Sequence, residues 1–291
     1  MRPHVSTRLV LAVAGLALSA GCSSTTKEAA PAAPSTPISA QPFASEVGMG
    51  LADLQEKAAE LVTKCEELLA AIELGDLAAC QGAYFAARAP YEEIELLARA
   101  FPDLHRSIDA RAYDFPTGEL DVNFRGFHRI EIFLFARDKP EPALAYAKQL
   151  LEDVQELELA LADRSRYDAS MTFDAMIDRC MEIATRTVSS EEEMWSNQSL
   201  IVIRHGWIGI HSQYRYYAGA VRERDVQLAE RIDRTYRKAI ELIADEFPLG
   251  QVQGSPYSLI DSGERRAIAD ASLKLRGYLV KAQEKLELVD A

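Results

Sequence analysis

Apolar residues recur at intervals of three and four along most of the chain from about residue 45 onward, a spacing that places them on one face of an α-helix. The first run covers residues 54–72, and a second helix is expected from about Asp76 to Phe101. Sustained alternation of apolar and polar residues is not seen, so the pattern predicts a nearly all-helical protein. Further runs follow at residues 130–135, 144–161, 173–183, 232–247 and 268–286.

The number of these helices predicts an all-α, bilobal fold made of two antiparallel four-helix bundles. Glycine and proline gather between the helical runs, and the mostly short connections favour antiparallel neighbours. Seven or eight helices exceed one four-helix bundle, so we expect a helical domain over 45–291 with lobes at about 45–165 and 170–291. The boundary is placed near Asp163–Ser170, where polar residues interrupt the periodicity.

The first 44 residues predict export and lipid attachment. Arg2 and Arg8 flank the start of a short apolar run, Leu9 to Leu18. This run leads into Leu18-Ser19-Ala20-Gly21-Cys22. A basic start, a short apolar segment and small residues before a cleavage point are typical of a secretory signal, and the cysteine resembles the lipobox cysteine of bacterial lipoproteins. We expect residues 1–21 to be removed and 22–44 to provide the lipidated Cys22 and a flexible tether. An ordinary signal peptide with a chance cysteine is the alternative.

The charge of the chain restricts its partners. It has 45 acidic and 32 basic residues and a formal net charge of −13, which becomes −15 when the two arginines of residues 1–21 are lost. This balance argues against nucleic acid and against docking along anionic lipid, and it is compatible with cation binding.

Three cysteines follow Cys22, and two arrangements of them are open. Cys65 and Cys80 could form a disulfide across a helix hairpin in an oxidising compartment, which would leave Cys180 unpaired. In the alternative, all three are buried free thiols.

An imidazole and a carboxylate within one apolar helical run are the most informative chemical feature. His128 and Glu131 are three residues apart and therefore share a helix face. They lie in the same stripe as Phe127 and Ile130, so both are expected to point inward. A buried carboxylate needs a partner. A metal ion and a basic side chain from a neighbouring helix are the two candidates.

Other carboxylates could supply oxygen ligands for the same kind of ion. Glu92 and Glu95 are again three residues apart, Asp109 precedes Ala-Arg, and the segment 191–193 is Glu-Glu-Glu. Carboxylates with one imidazole suit iron, manganese or calcium more than copper or a structural zinc.

Each of these acids also has an ordinary explanation. Arg88 and Arg99 lie one turn from Glu92 and Glu95, a spacing that predicts surface ion pairs. The acidic segment 191–193 would form the first turn of a capped helix. Asp109 would be a solvated loop residue.

Five segments in order resemble the imelysin-like family, and within it the EfeO-type iron-uptake lipoproteins in a form without the N-terminal cupredoxin domain. The similarity covers nearly the whole chain after the tether. The segments are Ala87–Glu95, Ile108–Arg111, Gly126–Glu131, Val188–Ser196 and Gly254–Tyr257.

The resemblance implies a bilobal helical fold and specific metal ligands. One site would use Glu92, Glu95, Asp109 and either Glu191 or Glu192, and the pair His128 and Glu131 would form a site of its own. Iron is the implied ion, with manganese, calcium and zinc as alternatives. The family's proteins deliver iron to an inner-membrane permease, often beside a haem peroxidase. The apolar residues of 199–208 replace acids that the family pattern leads one to expect, which implies altered binding by the second lobe.

Two other functions stay open. Arg224, Arg231 and Lys238 recur every seven residues and predict a basic helix face, which would either dock an acidic polysaccharide or protein partner or simply be solvated. A metallopeptidase is suggested only by the family name, because the HExxH motif of zinc peptidases is missing and no catalytic residue can be assigned. His205 and His211 are expected to be core or interface residues.

Overall fold

The computed structural model describes residues 41–189 and 192–289. The expected signal peptide, Cys22, nearly all of the tether and Glu191 lie outside the described residues. The all-α prediction is confirmed, since this part of the chain forms nine α-helices and no strand. None of these helices is long and apolar enough to cross a membrane.

Seven of the nine described helices correspond to predicted runs, whereas Pro102–Asp109 and Ser199–Arg224 were not predicted. A π-helical turn, Ile132–Ala136, continues the helix Phe127–Glu131 directly. The bounds of the helices are α1 Ala44–Leu74, α2 Leu77–Ala98, α3 Pro102–Asp109, α4 Phe127–Glu131, α5 Leu144–Leu161, α6 Ala169–Thr185, α7 Ser199–Arg224, α8 Val226–Leu242 and α9 Ser262–Lys285.

Aspartate side chains define where four of the helices begin. Asp76, Asp168, Asp225 and Asp261 each accept backbone N–H groups of the first turn of α2, α6, α8 and α9. Such caps satisfy donors that have no partner within the helix.

The cap at Asp225 corrects the prediction of one basic helix face. Arg224 is the last residue of α7, whereas Arg231 and Lys238 belong to α8, because Asp225 ends one helix and begins the next. All three side chains are exposed.

Helices pack both against their neighbours in the chain and against more distant helices. Helix α1 contacts α2 and α5, α6 contacts α7 and α9, and α8 contacts α7 and α9. Helix α2 packs against α7 and so connects the earlier helices to the later ones. The division into two four-helix bundles with a boundary near residues 163–170 stays a prediction, although α5 ends at Leu161 and α6 begins at Ala169.

The contact between α2 and α7 requires a glycine. A β-carbon at Gly209 would lie 2.4 Å from the carbonyl oxygen of Glu93. Any larger residue would separate the two helices, because a close-packed interior cannot absorb such an overlap without moving backbone.

The described cysteines, Cys65, Cys80 and Cys180, are buried free thiols. This is the second of the two arrangements left open by the sequence. Burial raises the pKa of the Cys65 and Cys180 thiols well above the ordinary range, so both are held as neutral, unreactive groups.

Candidate metal centre

A cluster of charged side chains is buried where α2 meets α3 and α6, beside α4 and the non-helical segment 192–198. Charged groups are costly to remove from water unless they are paired or bind an ion. The cluster contains the acids Glu92, Glu95, Asp109, Glu131, Glu182, Glu192 and Glu193, the arginines Arg88, Arg111 and Arg179, the partly buried Arg99, and His128.

The start of α4 places His128 in this cluster. Gly126 precedes the helix with φ of +82°, a conformation that favours glycine. A β-carbon at Gly126 would lie 2.2 Å from the carbonyl oxygen of Ile108 in α3. The glycine therefore lets the two helix ends meet, and Nε2 of His128 comes within 3.4 Å of Oδ1 of Asp109.

Two candidate sites occur among the residues that the structure describes. His128, Glu131 and Glu193 form the more completely buried one, which we term the α4 site. Nδ1 of His128 lies 3.0 Å from Oε2 of Glu131. The other carboxylate oxygen of Glu131 accepts hydrogen bonds from the backbone N–H groups of Trp195, at 3.0 Å, and Ser196, at 2.7 Å. The segment after Glu193 thus fixes the carboxylate that faces His128.

The remaining ligand of the α4 site comes from that same segment. Oε2 of Glu193 accepts hydrogen bonds from Ser196 Oγ at 2.7 Å and from Tyr84 Oη at 3.2 Å. One ligand atom from each of His128, Glu131 and Glu193 lies within 4.8 Å of the others. Two ligands each about 2.1 Å from one ion and at a right angle are separated by about 3 Å, so small movements would let all three bind a single ion. The donors fit iron or manganese.

Glu95, His105 and Asp109 form the second candidate site, which we term the α3 site. Their ligand atoms also lie within 4.8 Å of one another, and His105 is partly exposed. Nδ1 of His105 lies 2.9 Å from the hydroxyl of Tyr91. A ring N–H donated to that oxygen would leave Nε2 free to bind a metal, which is the usual arrangement around metal-binding histidines.

Arginines contact every predicted carboxylate of α2 and α3. Arg88 pairs with Glu92, its neighbour one turn along α2, and with Oδ1 of Asp109 at 2.5 Å. Arg179 of α6 pairs with Glu92 and, at 2.5 Å, with Oε2 of Glu95. The predicted partners one turn away are therefore present, but the Arg88–Glu92 pair is buried, contrary to the expectation of a surface pair.

Helix α6 also contributes an acid to this arrangement. Glu182 lies 2.7 Å from Nη1 of Arg179 and also contacts Arg99, which in turn lies 3.0 Å from Glu95. The Glu95–Arg99 pair is likewise not a surface pair, because the Glu95 side chain is 1% exposed.

The pKa values of the α4 site depend on burial and on neighbouring charge. Burial alone would lower the pKa of His128, but the carboxylates of Asp109 and Glu131 beside its ring raise that pKa to about 9. Burial and the negative charge of Glu131 raise the pKa of Glu193 to about 7. The α4 site therefore binds protons readily near neutral pH, where a metal ion would compete with them.

The two glutamates of α2 respond differently to the same surroundings. Burial raises the pKa of Glu92 to about 7, although Arg88 and Arg179 act against it. Burial acts in the same direction on Glu95, but the positive charges of Arg179 and Arg99 outweigh it and lower that pKa to about 2. Of these two glutamates, Glu92 is therefore the one whose ionised form the local cations stabilise less.

Negative charge exceeds positive charge in the cluster. Seven carboxylates face four guanidinium groups, so three negative charges are uncompensated when every carboxylate is ionised, or two when His128 is also protonated. Oδ2 of Asp109 has no hydrogen-bond donor among the described residues, and the guanidinium of Arg111 is 3.6 Å away. A bound cation would reduce this excess.

The structure places several of the acids elsewhere than the sequence predicted. Glu192 and Glu193 lie in non-helical turns and not in the first turn of a helix, since α7 begins only at Ser199. Glu192 is buried against Arg111. Asp109 is the last residue of α3 and is 1% exposed, so it is not a solvated loop residue.

The sequence did not single out some residues that the structure places in the cluster. Glu193 and not Glu192 joins His128 and Glu131, and His105 joins Glu95 and Asp109. Three consecutive glutamates give no signal that distinguishes them, because the path of a turn decides which one points inward. The spacing His105–Asp109 was a usable signal, since residues four apart share a helix face.

His205 and His211, the other two histidines in the described part of the chain, lie away from this cluster. Nδ1 of His205 is 2.7 Å from Oε1 of Glu93, and His211 stacks on Tyr236 with ring centroids 3.9 Å apart. Both are partly buried contacts between helices, as expected for core or interface histidines.

The sequence of this chain is similar to those of known proteins over most of its length. Residues 49–279 match the family model described as Imelysin. An "Efem/EfeO family lipoprotein" of Staphylococcus aureus is 28% identical over 217 residues, which cover 74% of this chain and 76% of that protein. The "Iron uptake system component EfeM" of Pseudomonas syringae is 25% identical over 233 residues, covering 80% of this chain and 81% of the relative.

Proposed function

Because this chain belongs to the imelysin family, we propose that it is an extracytoplasmic metal-binding lipoprotein that acts in iron uptake. Relatives of similar length carry the names lipoprotein and iron uptake system component. Iron is the ion that these names support, and it would be the cargo of the protein. Manganese, calcium and zinc are the alternatives.

The α4 site is the observation that carries this proposal. His128, Glu131 and Glu193 are buried, come from two separate segments and bring their ligand atoms within 4.8 Å. Hydrogen bonds from Trp195, Ser196 and Tyr84 hold the two carboxylates in place. Fixed ligands of this kind, supported by surrounding hydrogen bonds, are typical of metal sites.

We propose that the acids of α2 and α3 contribute to binding as well. Glu92, Glu95 and Asp109 are buried and supply several oxygen atoms, and Glu191 or Glu192 would come from the adjacent segment. In the described structure the first three already contact arginines. An ion at these carboxylates would therefore have to share them with, or displace, the guanidinium groups.

The remaining parts of the proposal concern location and partners. Residues 1–21 would direct export, lipidated Cys22 would anchor the protein to the membrane, and 22–44 would be the tether. The bilobal helical domain would then hand iron to an inner-membrane permease, with a haem peroxidase as a further component.

Isothermal titration of the purified protein with Mn²⁺, and with Fe²⁺ under anaerobic conditions, tests the central claim. His128→Ala and Glu131→Gln should each weaken binding by at least tenfold. His205→Ala is the matched control, because it removes an imidazole that pairs with a carboxylate, Glu93, outside the cluster. Folded wild-type protein that binds neither ion would contradict the proposal, as would equal losses in the His205 and His128 variants.

A second function is supported by one cleft. Exposed Arg231 lines a cleft between α8 and α9 together with Lys281 and Lys285, although Asp225 and Glu284 also line it. Such a cleft would suit an acidic polysaccharide. Co-sedimentation with polygalacturonate tests it: binding lost on Arg231→Glu supports this function, and binding that is absent or unchanged counts against it.

A further inference from the structure

We propose that Arg88 bridges the two candidate metal sites and thereby limits the protein to one tightly bound cation. This inference rests on the proposed function, because it requires that the cluster binds metal ions. It assigns Arg88 as a positioning residue that determines how many ions bind.

The contacts of Arg88 reach both sites at once. Its Nη1 atom is 2.5 Å from Oδ1 of Asp109, a member of the α3 site, and its Nε atom is 2.9 Å from Oε1 of Glu193, a member of the α4 site. Its remaining nitrogen contacts Glu92. One guanidinium group therefore neutralises carboxylates of three separate chain segments.

The surroundings hold this side chain in place. Arg88 is 1% exposed, and its guanidinium carbon lies 4.9 Å from the ring centroid of Phe127 and 5.5 Å from that of Tyr91. Cations at such distances are attracted to aromatic rings. An arginine does not lose its proton in proteins. The positive charge of Arg88 can therefore shift between carboxylates of the cluster, but it cannot be removed.

A metal ion at one site would change the other through this group. An ion bound at Glu193 would repel Arg88 toward Asp109 and Glu92, where the guanidinium would compete with a second ion. An ion bound at Asp109 would repel it toward Glu193, with the same effect on the α4 site. Two ions together would leave Arg88 buried between them with only Glu92 left of its three carboxylate partners. Like-charge repulsion between the guanidinium and the two ions opposes that arrangement.

Other arginines of the cluster do not have this geometry. Arg179 is equally buried and also contacts three carboxylates, but these are Glu92, Glu95 and Glu182. None of them belongs to the α4 site. Arg179→Gln therefore removes the same charge at similar depth without removing a bridge, and it is the matched control for Arg88→Gln.

The test is the number of ions bound by the full-length, detergent-solubilised protein. Wild type and Arg179→Gln should each bind one Mn²⁺ with high affinity, measured by calorimetry and by metal analysis after gel filtration. Arg88→Gln should bind two, with the second ion bound at least tenfold more tightly than any second ion in wild type. Anaerobic Fe²⁺ should give the same stoichiometries.

A conservative variant keeps the test decisive if Arg88→Gln does not fold, as judged by circular dichroism. Arg88→Lys retains the charge, but a lysine cannot contact three carboxylates as the planar guanidinium does. This variant too should therefore bind a second ion at least tenfold more tightly than wild type does. Two tight ions in wild type, a gain in Arg179→Gln equal to that in the Arg88 variant, or unchanged binding in the folded Arg88 variant would overturn the inference. Absence of binding in all proteins would instead overturn the proposed function.

Discussion

Gly126 lies so close to Ile108 that a β-carbon at position 126 would be 2.2 Å from the carbonyl oxygen of Ile108. This contact joins the end of α3 to the start of α4. Asp109 is the last residue of α3, and His128 is the second residue of α4. The glycine therefore sets the 3.4 Å separation between Oδ1 of Asp109 and Nε2 of His128.

We expect Gly126→Ala to destabilise the protein by about 2–4 kcal/mol, because it combines an unfavourable φ with overlap against backbone. Gly75→Ala is the control: Gly75 has φ of +76°, but a β-carbon added there would meet nothing within 4 Å, so a loss of about 1 kcal/mol is expected. Urea unfolding measures both values. Equal losses would mean that the contact with Ile108 is not tight.

Gly209→Ala should disturb the packing of α7 against α2. The added carbon would lie 2.4 Å from the carbonyl oxygen of Glu93, and overpacking of this kind costs about 1–3 kcal/mol. Gly219→Ala in the same helix meets nothing within 4 Å and should be neutral or stabilising by up to about 1 kcal/mol, because alanine favours helix. Thermal unfolding of the two variants compares them directly, and a Gly209 variant as stable as the Gly219 variant would contradict the close approach.

Arg179→Ala should be strongly destabilising. Its removal leaves Glu92, Glu95 and Glu182 with less compensation in a buried place, and loss of one partner of a buried pair costs about 3–5 kcal/mol. Arg186, whose side chain is 42% exposed and lies 3.6 Å from Glu182, provides the comparison, and its replacement by alanine should cost under about 1 kcal/mol. Chemical denaturation in the presence of a chelator measures the free energy of unfolding of both variants. Equal losses in the two variants would show that water reaches the cluster and screens its charges.

The metal-free protein should be most stable near pH 5. The pKa values of Glu92 and Glu193 are raised to about 7 by burial, so the folded state binds their protons more tightly and stability falls as the pH rises from about 4.5 to about 7. His128, with its pKa raised to about 9, adds a loss between about pH 6.5 and 9. Glu95, with its pKa lowered to about 2, loses its contribution as the pH falls from about 4.5 to about 2.

Melting curves of chelator-treated protein from pH 3 to 9 check this profile. Glu193→Gln should flatten the decline between pH 5 and 7, since its side chain no longer titrates. A melting temperature that rises steadily from pH 5 to pH 8 in wild type would show that these carboxylates are not protonated in the folded state.

The order of segments along the chain was enough to identify the family. The three- and four-residue periodicity predicted helices, and the segments around Glu92, Asp109 and His128 carried the resemblance, which the family match over residues 49–279 confirms. Both are local properties: a helix buries a stripe set by its own repeat, and residues three apart share a face in any packing.

Only the tertiary structure decided which residues meet. Sequence spacing paired Glu92 with Arg88 correctly but could not show that Arg179, from α6, contacts the same carboxylate in the interior. It could not distinguish Glu193 from its two neighbours, because a turn and not a helical repeat orients that side chain. Arg88 is part of the sequence motif, yet its contacts with Asp109 and Glu193 exist only because α3 and the segment before α7 fold back onto α2. Burial then determines the outcome, since charges that water would screen on a surface must here be neutralised by one another or by an ion.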